Sequence, residues 1–213
     1  MVVINSPTHK KEFRVPVITI SRQFGAGGKT LTDHLAARLG YEVANEEIID
    51  KLAQSTKLST DSIRSFEGEE NGKFQVTPPT GFIRRIFDPS KNFMDEQQYV
   101  KLLNRLIPQI ADRGNIIILG RGAQFILKDR QDVMHILLLA DEADRVKFMQ
   151  AHYGLTPDEA RQAVIKQGKR RLKLMKLFNS ANYDQPVHYD LVLNMSKMSL
   201  DRAVDLICTL IER

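Results

Sequence analysis

Ten residues of this chain, Ser21-Arg22-Gln23-Phe24-Gly25-Ala26-Gly27-Gly28-Lys29-Thr30, bring three glycines, two cations and two hydroxyls into a span short enough to wrap one anion. An apolar, β-branched run, Val15-Pro16-Val17-Ile18-Thr19-Ile20, leads into it and a helix-like pattern follows. That is the layout of a phosphate-binding loop. Glycines let backbone N–H groups converge on phosphate oxygens, and the helix N-terminus adds a partial positive charge. Matched to G-x-x-x-x-G-K-[ST], Gly28-Lys29-Thr30 closes the motif and puts its first glycine at residue 23, which is Gln23. In this register Lys29 is the phosphate lysine and Thr30 the hydroxyl on the magnesium side. The plain alternative is a glycine-rich strand-to-helix turn that holds no ligand.

Phosphoryl transfer asks for positioning and positive charge more than for covalent catalysis. Arg121 stands directly after the apolar run Ile116-Ile117-Ile118-Leu119, where a charged side chain at a sheet rim calls for an anion or a salt bridge. Lys166, Lys169, Arg170, Arg171, Lys173 and Lys176 then place six basic residues in eleven positions with no acid among them. Such a run is either a solvated helix face or a lid whose cations close over a transferring phosphate. Lys166, Lys169, Arg170 and Lys173 share one helical face and Leu172, Met175 and Phe178 the other, so the stretch is amphipathic. Aromatic residues are not interleaved with these cations as a stacking platform needs, which argues against a nucleic-acid surface. The five histidines show no metal-ligand spacing, and Cys208 is the one cysteine, so an internal disulfide is excluded.

These residues must be positioned by a fold. At 213 residues, 42% hydrophobic and 27% charged, the chain reads as one globular domain with a sizeable core. A net charge of +5 fits an anionic ligand without choosing among them. No apolar run approaches the ~20 residues of a membrane span and no signal-peptide core is visible, so a cytoplasmic protein with no membrane contact is expected.

Residues 1–13 read as a loose leader. Leu31, Leu35 and Leu39 mark a helix that Gly40 ends, Tyr41–Ala44 a short strand, and Asn45 a helix start. From Thr56 to Asp95 the pattern weakens: 67–73 and 77–81 are loop-like, and Ile83, Ile86 and Phe87 mark a short helix carrying Arg84 and Arg85. Helical spacing returns from Tyr99 to Ile110, with Pro108 expected to kink or break it. Ile116–Leu119, after Asn115, and Val133–Ala140 are apolar runs, the second interrupted only by His135, as parallel strands buried on both faces are. Asp141 caps a helix ending near Gly154, and Thr156-Pro157-Asp158-Glu159 starts another that runs into the basic stretch. Leu191–Leu193 is a last strand and Ser199 caps a last helix. Five alternations of strand and helix predict an α/β fold with a five-stranded parallel sheet between two helical layers. Its ligands are expected at the carboxyl ends of the strands.

Ile18-Thr19-Ile20-Ser21-Arg22-Gln23-Phe24-Gly25-Ala26-Gly27-Gly28 resembles the Ile-Ser-Arg-Gln-x-Gly-Ser-Gly-Gly signature of the cytidylate kinase-like family. Leu39-Gly40-Tyr41, Gly120-Arg121-Gly122-Ala123 and Tyr189-Asp190-Leu191-Val192-Leu193-Asn194 are similar to its later segments, so the resemblance runs from about residue 15 to 213. It implies a P-loop nucleoside monophosphate kinase core, with an acceptor-binding insertion at about 45–95 and a lid at about 154–188. It also implies transfer of the γ-phosphate of magnesium-bound ATP to CMP or dCMP, with Arg121 matching the arginine that holds the acceptor phosphate. Gly25-Ala26-Gly27 then aligns with the Gly-Ala-Gly of nucleoside monophosphate kinases, which continue Lys-Gly-Thr where this chain reads Gly28-Lys29-Thr30. Other departures remove acids: Leu119-Gly120-Arg121-Gly122 stands for Asp-Gly-Arg-Asp, Asn45 for Asp, and Gln185-Pro186 for Asp-Pro.

The nucleotide is therefore expected on Ser21, Gln23, Gly25, Ala26, Gly27, Gly28, Lys29 and Thr30, with magnesium on Thr30. Catalysis is expected from Lys29, Arg22 and Arg121, with Lys169 and Arg171 on the lid. The acceptor is CMP, dCMP or another small molecule. The reading from another class is a nucleotide-binding regulatory protein without turnover. Oligomeric state stays open.

Overall fold

A computed structural model describes residues 17–67, 69–70, 73–74, 95–178 and 183–211. In chain order its elements are β1 (Val17–Arg22), α1 (Gly28–Leu39), β2 (Glu42–Val43), α2 (Asn45–Thr56), α3 (Thr60–Glu67), β3 (Glu69–Glu70), β4 (Lys73–Phe74) and α4 (Glu96–Ala111). There follow β5 (Ile116–Leu119), α5 (Ala123–Ile126), β6 (Val133–Leu139), α6 (Glu142–Tyr153), α7 (Pro157–Leu177), a 3-10 turn (Pro186–His188), β7 (Leu191–Asn194) and α8 (Leu200–Ile211). The sheet order is β2-β5-β1-β6-β7, parallel throughout, as the alternating pattern predicts.

Side chains of a strand alternate between its two faces, and here both faces are mainly apolar, with Thr19 and His135 hydrogen-bonded to each other at 2.7 Å. Val17, Ile116, Ile118 and Val133 turn to one side, where α2, α3 and α4 add Ile48, Leu52, Ile63, Leu103 and Ile107. Ile18, Ile20, Ile117, Leu119, Ile136 and Leu138 turn to the other, against Leu31 and Leu35 of α1 and Val204, Ile207 and Ile211 of α8. Each fully buried Leu or Ile contributes about 1.5–3 kcal/mol, so the two cores hold β1 fixed at the centre of the sheet. The carboxyl end of β1 is thereby presented between those of β5 and β6.

Several expectations met a different outcome. The stretch after Thr56 holds a full helix, α3; its inward face rests on Ile63 with Phe66 beside it, too few positions for periodicity to show. At 67–73, read as loop, and Phe74 after it, two-residue strands β3 and β4 pair antiparallel, and two residues carry no alternation to detect. Helix α4 runs through Pro108, near its C-terminal end. The carbonyl deprived of a donor there belongs to Asn104, an exposed residue that water can serve. Asp141 occupies the N-cap of α6, but its side chain makes no capping bond. The leader at 1–13, the loop at 77–81 and the helix carrying Arg84 and Arg85 lie outside the described residues. Among the described residues no helix is long and apolar enough to cross a membrane.

The start of α7 matches the sequence pattern. Thr156 Oγ1 accepts from Glu159 N at 3.4 Å, and Glu159 Oε2 accepts from Thr156 N at 2.9 Å. With Pro157 in the first helical turn this is a complete capping box. Thr156→Ala is expected to cost about 1 kcal/mol and to lower the melting midpoint by about 2–4 °C. An unchanged midpoint would mean the box contributes nothing to α7.

Candidate functional site

Between β1 and α1 the chain turns under the sheet rim, and the neighbouring strand and helix hold it there. Gln23 N donates to Leu138 O at 3.0 Å, and Gln23 Oε1 accepts from Ala140 N at 3.1 Å. The residue at the motif's first-glycine position thus ties the loop to the end of β6. From α6, Arg145 donates through Nε to Ala140 O at 3.1 Å and through Nη1 to Phe24 O at 3.3 Å, bracing the loop from behind. Gly27 is the N-cap of α1 and supplies no side-chain cap, and the first turn carries no acid. The amides of Gly28, Lys29 and Thr30 therefore sit at the positive end of a helix that no side chain of its own neutralises, an arrangement that favours an anion. Thr30 is half-buried in this turn.

The two cations of the loop diverge. Lys29 Nζ donates to Asp33 Oδ2 at 2.9 Å, one turn further along α1, and the lysine side chain is 66% exposed. Arg22 runs the other way. Its methylene stem crosses the Cα of Gly28 so closely that a Cβ there would lie 2.7 Å from Arg22 Cγ. Its guanidinium comes against the Cα of Gly120, where a Cβ would collide with Nη1.

Arg121, at the end of β5, reaches back into the fold with a left-handed φ of 55°. Its Nε and Nη2 donate to the two carboxylate oxygens of Glu67 at 2.7 Å each, and Nη1 donates to Asn45 Oδ1 at 2.8 Å. Tyr99 donates its hydroxyl to Glu67 Oε1 at 2.6 Å. The arginine and glutamate side chains are 9% and 13% exposed, so this is a buried two-pronged ion pair and not a surface contact. Burial alone would raise the pKa of Glu67; the guanidinium beside it and the Tyr99 hydroxyl outweigh burial and hold it below the ordinary carboxylate value. Burial, then the charge of Glu67, pushes the Tyr99 hydroxyl well up.

A third arginine reaches the same rim from α7. Arg171 donates twice to Asp184, Nη1 to Oδ2 at 2.8 Å and Nη2 to Oδ1 at 2.5 Å, and Nη2 also donates to Ser21 Oγ at 2.9 Å. Its guanidinium lies 4.7 Å from the centre of the Tyr183 ring. Gln124 donates to the Tyr189 hydroxyl at 3.2 Å, which in turn donates to Tyr183 O at 2.7 Å. The segment after α7 is thereby fastened beside Ser21. Lys169 is elsewhere, in an open groove of about 450 Å³ along α7 with Gln162, Ile165, Lys166, Arg170 and Lys173.

Of the residues singled out from sequence, Ser21, Arg22, the loop glycines, Thr30, Arg121 and Arg171 converge on one rim, while Lys29 and Lys169 are held apart from it. Glu67, Tyr99, Arg145 and Asp184 were missed. Glu67 fell in a stretch with weak pattern. Asp184 carried a usable signal: it stands one place before Gln185, where the family's Asp was sought.

The comparisons with known proteins agree on the fold. The cytidylate kinase-like family matches residues 17–197. No curated protein sequence matches the chain. Among solved structures, the chain is similar to an uncharacterised protein from Eubacterium ventriosum, at TM-score 0.64 and 20% identity over 92% of this chain and 97% of that one. It is similar also to a shikimate kinase from Bacteroides thetaiotaomicron, at TM-score 0.50 and 15% identity over 92% and 98%.

Proposed function

The chain belongs to the cytidylate kinase-like family and has the P-loop kinase fold, and from that premise we propose that it is an ATP-dependent phosphotransferase moving the γ-phosphate of ATP to CMP, dCMP or another small acceptor. The observation that carries this reading is the open N-terminus of α1 with the Arg22 stem over Gly28, flanked along the same rim by Arg171 on Ser21 of β1 and by Arg121 just after β5. In the transfer an acceptor oxygen bonds to the γ-phosphorus, the bond to the β–γ bridging oxygen breaks, and ADP leaves with that electron pair. The loop amides and a loop cation, Arg22 or Lys29, hold the donor phosphates; Arg121 orients the acceptor. Arg171, with Lys169 after closure of the lid, faces the transferred group.

Magnesium fits the residues present. Thr30, half-buried in the first turn of α1, would offer one hydroxyl to an ion held otherwise by the nucleotide phosphates. When bound, the ion neutralises charge on the phosphates.

One observation favours the second reading, a nucleotide-binding regulator without turnover: Arg121 and Arg171 are already paired with Glu67 and Asp184. The deciding experiment is ATP consumption with magnesium, screened against nucleoside monophosphates and small hydroxylated metabolites. Turnover with one acceptor, lost by about 100-fold or more in Arg121→Ala, is expected. ATP binding without turnover would move the assignment to the regulator, and failure to bind ATP would overturn both.

A further inference from the structure

A phosphate loop needs one cation that leaves the turn and reaches the β- and γ-phosphates. In the register set by Gly25-Ala26-Gly27, the position for it is residue 28, and residue 28 is glycine. The space a side chain there would enter is taken. An added Cβ would stand 2.7 Å from Arg22 Cγ and 3.2 Å from Arg22 Cβ. A side chain at 28 and Arg22 in its present place therefore exclude each other. At the far end of the same arginine a second glycine, Gly120 of another element, gives way to the guanidinium. Two bare Cα positions, nearly a hundred residues apart in sequence, clear the path of a single side chain. Lys29, the other candidate, turns along the outside of α1 to Asp33, with most of its side chain in water.

We propose that Arg22 is the phosphate cation of this loop, in place of a lysine, and that it binds the β- and γ-phosphates of a nucleoside triphosphate. This rests on the loop being an ATP site, as proposed above. The substitution changes the chemistry. A lysine offers a point charge, whereas a guanidinium offers a planar fork that can take two phosphate oxygens at once. Since the fork lies beside Gly120, next to Arg121, it spans from the donor loop toward the acceptor arginine.

The test is calorimetric titration of the full chain with magnesium-ATP, with the ligand-free melting midpoint as a check on folding. Arg22→Ala is expected to weaken ATP binding by about 10- to 100-fold in a chain that still unfolds cooperatively, a loss at least tenfold greater than in Lys29→Ala. In the Arg22→Ala background, Gly28→Lys returns a cation to the emptied space and is expected to recover about tenfold in affinity. The same Gly28→Lys change in the native chain meets the Arg22 stem and weakens binding. Should Arg22→Ala fail to fold, Arg22→Gln keeps most of the stem over Gly28 and is expected to show the same loss. Native affinity in Arg22→Ala, or a folded double variant that recovers nothing, overturns the assignment of Arg22 while leaving the ATP site standing. A native chain that binds no ATP overturns the site itself, and this inference with it.

Discussion

Replacing Glu67 with alanine is expected to lower the unfolding free energy by about 3–5 kcal/mol, the range for removing one member of a buried ion pair. The figure applies because both side chains are nearly out of water and the pairing is two-pronged. Deletion removes the carboxylate that accepts two Arg121 N–H groups and takes the acceptor from the Tyr99 hydroxyl. Glu67→Gln keeps one oxygen for Tyr99 and Arg121 Nε but removes the charge and replaces the acceptor of Arg121 Nη2 with an NH2 donor; its cost is expected to be smaller than that of the alanine, about 1–3 kcal/mol. The pH dependence has a definite sign. Because folding lowers the pKa of Glu67, its contribution is fully present above the unfolded carboxylate value, about 4.3, and is lost as pH falls through the depressed folded value. The difference in urea midpoint between the native chain and Glu67→Gln should therefore be widest near neutrality and narrow in acid. A difference that stays constant into strong acid would show that the charge of Glu67 does not stabilise the fold.

Gly25→Ala should come next in size, and Gly40→Ala is its control. Both glycines have left-handed φ, 87° and 67°, so each alanine meets a backbone cost of about 1–2 kcal/mol. Around Gly40 an added Cβ finds nothing within 4 Å. At Gly25 it would lie 2.8 Å from the carbonyl oxygen of Arg145, in the backbone of α6, which no side-chain rotation can relieve. Overpacking of that kind adds about 1–3 kcal/mol and displaces the loop, so Gly25→Ala should also weaken ATP binding at least about tenfold. Denaturation of the two variants side by side decides the matter. Equal stability losses would mean that α6 yields and does not fix the loop.

The sheet could be read from sequence because Ile116–Leu119 and Val133–Ala140 are short, nearly continuous apolar runs bounded by polar residues and glycine, too short for a helix. The Thr156 box and the glycine loop were equally direct, since each is defined by neighbours in sequence. The electrostatics of the site were not. Glu67 and Arg121 are 54 residues apart, and the glutamate ends a helix with little apolar patterning, so only the fold joins them. Lys29 was the reverse case. Its place in the motif pointed to phosphate, yet an acid four residues on, at Asp33, offered it a partner along its own helix. Nothing local marked Arg145, whose role depends on how α6 packs behind the loop.

The Arg121–Glu67 pair also bears on how an acceptor phosphate would arrive. Tethered through α3, the carboxylate competes as though it were a solute at very high effective concentration, with no translational entropy to lose on pairing. If Arg121 takes the acceptor phosphate as proposed, the phosphate would enter by anion exchange, and the free energy it gained there would be only its advantage over Glu67. Anions that offer the guanidinium no more than a carboxylate does gain nothing by displacing it, so the tether would act as a threshold that screens acceptors by charge.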